Sequence, residues 1–282
     1  MAIRDSSMDE QTLARRFPRS AKYNPAWISE NGFGGNAIWQ TEWLCERLAL
    51  EPGMRVLDLG CGRAKSSVFL AREFGVEVWA TDLWVSASEN WQRIRDLGLQ
   101  RQVFPLHADA RQLPFAAEFF DAILAVDCYS YFGTDDLYLN YLAQFVGVGG
   151  QIGVAGAGLV QEWQGEPPEH LRQWWMSDCA WCLHSAQWWR RHWQRTGIVD
   201  VETADVLDDG WKFWAYWHRL NWPDNVLEIA AIERDAGRYL GYNRMVARRR
   251  DGARLEPFIW PDTMRSMPFS YEKTPLLRED AG

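Results

Sequence analysis

The chain of 282 residues sets 30 Lys and Arg against 38 Asp and Glu, a net charge of −8, and 47% of its residues are hydrophobic. That is the composition of a globular protein, and its acidic balance excludes one that depends on covering phosphate backbone with cations, so nucleic acid is not an expected partner. No stretch reaches the ~20 apolar residues that span a bilayer, the N-terminus has no apolar signal core, and the five cysteines are odd in number, so a cytoplasmic chain without a disulfide framework is expected.

Residues 1–23 are polar and mixed in charge and read as a mobile arm. The run Asn31-Gly32-Phe33-Gly34-Gly35 is a hinge candidate, and Ile38, Trp39, Trp43, Leu44 and Leu48 follow at helical spacing. Residues 1–50 are therefore taken as an arm and lid helix. Glu51-Pro52-Gly53 breaks that helix, and Met54–Leu59 reads as a buried strand running into the turn Gly60-Cys61-Gly62. Ala64–Phe74 is the next helix. Strand two is expected at Val76–Thr81, a helix at Ala87–Leu97, strand three at Gln102–His107 and strand four at Phe120–Val126. A helix at Asp135–Val146, a turn at Gly147–Gly150 and a fifth strand at Gln151–Ala155 follow. Strands alternating with helices at this spacing predict a doubly wound, parallel α/β sheet.

Beyond strand five the pattern turns helical and rich in tryptophan: of 18 in the chain, 11 lie between Trp163 and Trp222. A helical cap inserted at about 157–197 is expected to bury these rings against the sheet. Ile198–Val206 and Tyr239–Arg248 read as strands six and seven, with a helix from Asn225 to Ala236 between them. The core thus covers 51–250, and 251–282, with four prolines and no period, reads as an extended tail.

The first βα turn carries the chemistry. Asp58-Leu59-Gly60-Cys61-Gly62-Arg63-Ala64 lets backbone approach a ligand closely. Lys65 stands where a dinucleotide fingerprint needs Gly or Ala, so that reading fails, as does a phosphate-binding Walker loop. Asp82, closing strand two, is placed to accept hydrogen bonds from both hydroxyls of a ribose. Cys179, Cys182 and His184 lack the second ligand pair that structural zinc requires, so no metal is expected.

VLDLGCGRA resembles the first motif of class I S-adenosylmethionine-dependent methyltransferases, with Ala64 in place of the last glycine. WATDL, HADARQLPF and FDAILAVDCYSYF continue the resemblance in order, over about residues 36–156, and the arrangement is similar to the sterol, quinone and cyclopropane-synthase-like enzymes. The resemblance implies a Rossmann-like seven-stranded sheet, mostly parallel with an antiparallel last strand, and S-adenosyl-L-methionine as methyl donor. It implies donor contacts at Asp58, Gly60, Cys61, Gly62, Asp82, Leu83, Asp109, Ala110, Asp127 and Cys128. Trp39, with Trp27, belongs to a segment at 24–40 expected to fold over the donor as a lid. The acceptor would be a small molecule in an aromatic pocket, with His184 and Asp127 as candidate bases and Tyr129 and Tyr131 orienting it. His192 and His218 read as packing or surface residues, and His107 as structural. A non-catalytic donor-binding sensor or assembly partner is the alternative, and the tail with the aromatic cap is the candidate surface for a homodimer.

Overall fold

The computed structural model describes residues 8–30, 34–177 and 179–255. Seven strands make one sheet: β1 (Arg55–Leu59), β2 (Glu77–Asp82), β3 (Val103–His107), β4 (Phe120–Val126), β5 (Val146–Leu159), β6 (Val199–Val206) and β7 (Leu240–Arg249). Their spatial order is β3-β2-β1-β4-β5-β7-β6. The five strands from β3 to β5 are parallel, while β7 runs antiparallel to both β5 and β6. Val56, Leu57 and Leu59 of β1 and Ala122 to Ala125 of β4 are buried whichever face they point to, because helices cover both sides.

The helices are α1 (Glu10–Arg16), α2 (Pro25–Glu30), α3 (Ala37–Cys45), α4 (Lys65–Phe74), α5 (Ala87–Asp96), α6 (Ser130–Gly133), α7 (Tyr138–Ala143), α8 (Glu169–Ser177), α9 (Ala186–Gln194), α10 (Gly210–Asn221) and α11 (Val226–Asp235). The strand order reverses between β1 and β4, so the C-terminal ends of those two strands open the crevice where ligands bind in such sheets.

Several expectations change. The segment read as a mobile arm is folded from Asp9, whose carboxylate accepts the Thr12 N–H and caps α1. Phe17 is buried between Trp39 and Phe213, and the buried Glu42 carboxylate accepts the N–H groups of Arg19 and Ser20 and the Ser20 hydroxyl. One apolar anchor and one carboxylate hold a segment whose polar residues are its outer face.

The helix expected at Asp135–Val146 shortens to α7, because Val146 already pairs with Phe120. β5 is correspondingly longer. Gly147–Gly150 are not a turn ahead of it but lie within it, bulging opposite Asp121, where the register jumps from Val146 to Gln151 and Gly149 takes φ +76.

The aromatic cap divides across the sheet: Trp189 and Trp193 of α9 join one core, while Trp174 of α8 and Trp214 and Trp217 of α10 join the other. The helix α10, between β6 and α11, is additional to the elements expected. From residue 256 the tail lies outside the described residues.

Candidate active site

The turn after β1 is built from left-handed backbone at alternate positions: Gly60 (φ +68), Gly62 (φ +53) and Ala64 (φ +59). A Cβ on Gly60 would lie 2.5 Å from Cys128 Sγ, and that thiol donates to the Leu59 carbonyl at 3.0 Å. The turn and the end of β4 are therefore in contact. Ala64, fully buried at the head of α4, holds a conformation that disfavours an L residue by about 1–2 kcal/mol. Asp58 is also fully buried, and Ser66 and Ser67 hydroxyls donate to its Oδ2 at 2.6 and 2.5 Å. Its Oδ1 has no hydrogen-bond partner in the protein, and burial pushes its carboxyl up to about 6.

Asp82 is nearly buried at the end of β2. Its Oδ2 accepts the Gly62 N–H at 2.7 Å and its Oδ1 the Trp84 and Val85 N–H groups at 2.8 Å. A carboxylate has about four acceptor positions, so one on Oδ2 and none on Oδ1 remains beyond these. Expecting two ribose hydroxyls there requires that the 84–85 turn yield. Leu83 and Trp84 are exposed beside it, and the Leu83 carbonyl lies 2.7 Å from His107 Nε2. Asp109 is engaged by Arg111 through Nε (2.9 Å), Nη2 (2.5 Å) and backbone N–H, which holds its carboxyl below the ordinary range. The Ala110 carbonyl accepts the Tyr138 hydroxyl.

Asp127, just beyond β4, has φ +58 and ties the site together. Its Oδ2 accepts the Gly35 N–H at 2.6 Å and its Oδ1 the Ala157 N–H at 3.3 Å. Trp217 Nε1 donates to the neighbouring Gly34 carbonyl, and Arg63 Nη1 to the Glu30 carbonyl. Lys65, next to the glycine turn, was not anticipated. It is 3% exposed, donates Nζ–H to the Ile28 carbonyl at 3.2 Å and stands 5.0 Å from the Trp217 ring centroid. Burial lowers its amine to about 7, although the Asp127 charge favours the ammonium. Its sequence signal was a lone Lys in the otherwise small and apolar run Ala64 to Ala71. Gln40 of α3 is buried beside Gly35 with both amide atoms unpartnered in the protein.

Several proposed contacts are elsewhere. Trp39 stacks on Phe17 at 5.5 Å and meets Phe213, Tyr216 and Trp217, so it fills a core cluster. Trp27 stacks on Tyr23, and residues 31–33 of the expected lid lie outside the described residues. Tyr129 is enclosed by Phe132, Tyr138, Trp189 and Trp193, and burial pushes its phenol well up, which leaves it unsuited to orienting an acceptor. Tyr131 is exposed near Trp84. His184 stacks on Trp188 at 3.7 Å with Nδ1 3.5 Å from Glu162, and Trp189 lies between it and Tyr129. A cleft is lined by Glu30, Gly34, Arg63, His218, Asn221 and Trp222, among others.

With this geometry in view, residues 56–150 match the family described as a methyltransferase domain. Residues 56–150 carry that domain. Methyltransferase GfsG of Streptomyces halstedii is 34% identical over 116 residues, 41% of this chain and 42% of that protein. A demethylmenaquinone methyltransferase of Mycobacterium sp. (strain KMS) is 39% identical over 90 residues, 32% of this chain and 35% of that one. The chain thus spans less than half the length of these relatives. In fold, the chain resembles geranyl diphosphate C-methyltransferase of Streptomyces coelicolor A3(2), with a TM-score of 0.60 at 23% identity, over 74% of this chain and 78% of that one. It also resembles phosphoethanolamine N-methyltransferase 2 of Haemonchus contortus, with a TM-score of 0.66 at 17% identity, over 87% and 61%. The last strands, β7 between β5 and β6, agree with the antiparallel ending expected of the domain. No helix among the described residues is long and apolar enough to cross a membrane.

Proposed function

We propose that this protein transfers a methyl group from S-adenosyl-L-methionine to a small-molecule acceptor. The observation that carries the reading is the convergence of the left-handed Gly60–Ala64 turn, Asp82 and Asp127 at the reversal point of the sheet. The residues present suit the donor. Gly60 and Gly62 admit a close approach, Asp82 Oδ2 retains an acceptor position, and the buried Gln40 amide and Asp58 Oδ1 lack protein partners, as befits walls of a site for a polar molecule.

The donor supplies a methyl group on a sulfonium, a leaving group that departs as a neutral thioether. The chain's own residues therefore have mainly to align and enclose. Gly35, bonded to Asp127, and Gly34, bonded to Trp217, fix a strap across the end of β4. A fixed approach of this kind can supply up to about 7–11 kcal/mol of the barrier lowering by pre-organisation. The Asp127 carboxylate, held by two backbone N–H groups, is better suited to holding the strap than to abstracting a proton.

Calorimetric titration with S-adenosylmethionine and S-adenosylhomocysteine, beside Asp82→Ala, tests the donor site. Binding of both, lost in the variant, supports it; an inert wild type refutes it. Binding without turnover of any acceptor would favour the sensor reading.

A further inference from the structure

The carboxylate placed to hold a ribose is already engaged by the loop that follows it. Asp82 Oδ1 accepts the N–H groups of Trp84 and Val85, both at 2.8 Å. On the other edge of the peptide that carries the Trp84 N–H, the Leu83 carbonyl lies 2.7 Å from His107 Nε2 at the end of β3. A carbonyl only accepts, so this nitrogen carries the proton. One peptide plane is therefore held at both edges, its N–H on Asp82 and its C=O on His107, and being planar it turns as a unit.

The chain on either side of that plane is fixed. The Asp82 carbonyl accepts the Ala108 N–H at 3.0 Å, which ties the end of β2 to β3. The Val85 side chain is buried, and Ser86 closes a capping box with Glu89 at the start of α5. Trp84, between these points, is 70% exposed, so a turn of the Leu83–Trp84 peptide carries its ring through solvent and disturbs no core. That ring meets the exposed Tyr131 with centroids 6.4 Å apart. Trp84 follows β2 and Tyr131 follows β4, the two strands that flank β1, so the contact joins the loops on either side of the glycine turn.

We propose that the Leu83–Trp84 peptide is a latch on the nucleoside subsite, turning when a ribose hydroxyl takes its place on Asp82 Oδ1 and thereby releasing His107 and parting Trp84 from Tyr131. The proposal rests on the methyl-donor reading above. On Asp82 itself an O–H replaces an N–H at the same oxygen, an exchange of like for like. The balance is then set by what the latch gives up elsewhere, the His107 bond and the ring contact. A site that is competent in only a fraction of the molecules binds more weakly by that fraction, so loosening the latch tightens the donor.

The test uses the full chain with S-adenosylhomocysteine as probe. His107→Ala, at an exposed position, removes the anchor of the carbonyl and should lower the calorimetric Kd about fivefold, the equivalent of one hydrogen bond at its usual net worth. His107→Gln, which retains a donor nitrogen, should return the Kd toward that of wild type. Tyr131→Ala should tighten binding in the same sense as His107→Ala. With 5-fluorotryptophan incorporated and the Trp84 signal assigned through Trp84→Phe, the fluorine resonance should shift on saturation with the probe. In His107→Ala it should lie part of the way toward that position before any probe is added, which a histidine that only supports the fold would not produce. A His107→Ala protein with a Kd equal to or above that of wild type overturns the proposal, as does a Trp84 resonance that the bound probe leaves in place. A wild type that binds no S-adenosylhomocysteine overturns the underlying reading instead, and the proposal with it.

Discussion

Replacing Lys65 with Met should remove a pH dependence of stability that the fold imposes on itself. The ammonium sits 3% exposed between the Trp217 ring and the Ile28 carbonyl, and burial lowers its ionisation from 10.5 to about 7. Below pH 7 the amine is charged in both folded and unfolded chains; above about 10.5 it is neutral in both. Between those limits the unfolded chain binds the extra proton, so stability rises with pH across the window, by about 5 kcal/mol at the ordinary conversion of ionisation shift to energy. Met matches the stem of Lys but carries no charge, so the variant's curve should lack that rise. At pH 6 the variant should be the more stable protein. At pH 10 it should be the less stable by about 1 kcal/mol, having lost the bond to Ile28. Guanidinium unfolding followed by far-ultraviolet circular dichroism at pH 6, 8 and 10 reads both effects. Parallel curves for the two proteins would refute the assignment.

Asp58→Asn should behave in the opposite sense. The wild-type carboxyl, pushed up to about 6, contributes stability that is fully present below pH 4 and lost as pH rises through 6, and the variant should lack that fall of about 3 kcal/mol in the same unfolding series. Gly60→Ala should destabilise by about 2–4 kcal/mol, combining left-handed strain with the clash on Cys128, and Cys128→Ala should recover part of it in a double-mutant cycle. Ala64→Gly should be neutral or stabilising by up to about 1 kcal/mol, since relief of φ +59 competes with the added freedom of the unfolded chain; a loss of more than that in a thermal melt would contradict the strain argument. Phe17→Ala should lose about 3–5 kcal/mol in denaturant unfolding, whereas a mobile arm would lose nothing.

The strands were legible because a two-sided parallel sheet leaves apolar runs such as Val56-Leu57 and Ile123-Leu124-Ala125 between turn residues. The bulge at Gly147–Gly150 was read as the turn before the fifth strand because glycine-rich residues look alike whether they lead into a strand or loop out of one. Tyr129 and Trp39 were assigned by neighbourhood in sequence, yet each side chain turns into a core, a choice made by packing partners such as Trp193 and Phe213 from distant segments. Lys65 was passed over for the complementary reason. What distinguishes it is burial beside Trp217, more than 150 residues away, and no local pattern encodes that.

The pinning of the N-terminal strap by Trp217 has an implication for synthesis of the chain. Gly34 and its bond donor are separated by 183 residues, as Trp43 and Arg244 are by 201. At about 5–20 residues per second, a ribosome makes the partner of Gly34 roughly 10–40 s after Gly34 itself. Throughout that interval the Gly34 carbonyl lacks the indole that will fasten it, and Phe17 and Trp39 are uncovered by Phe213. A segment made early is thus among the last to be completed, and it is the one tied to Asp127 beyond the end of β4.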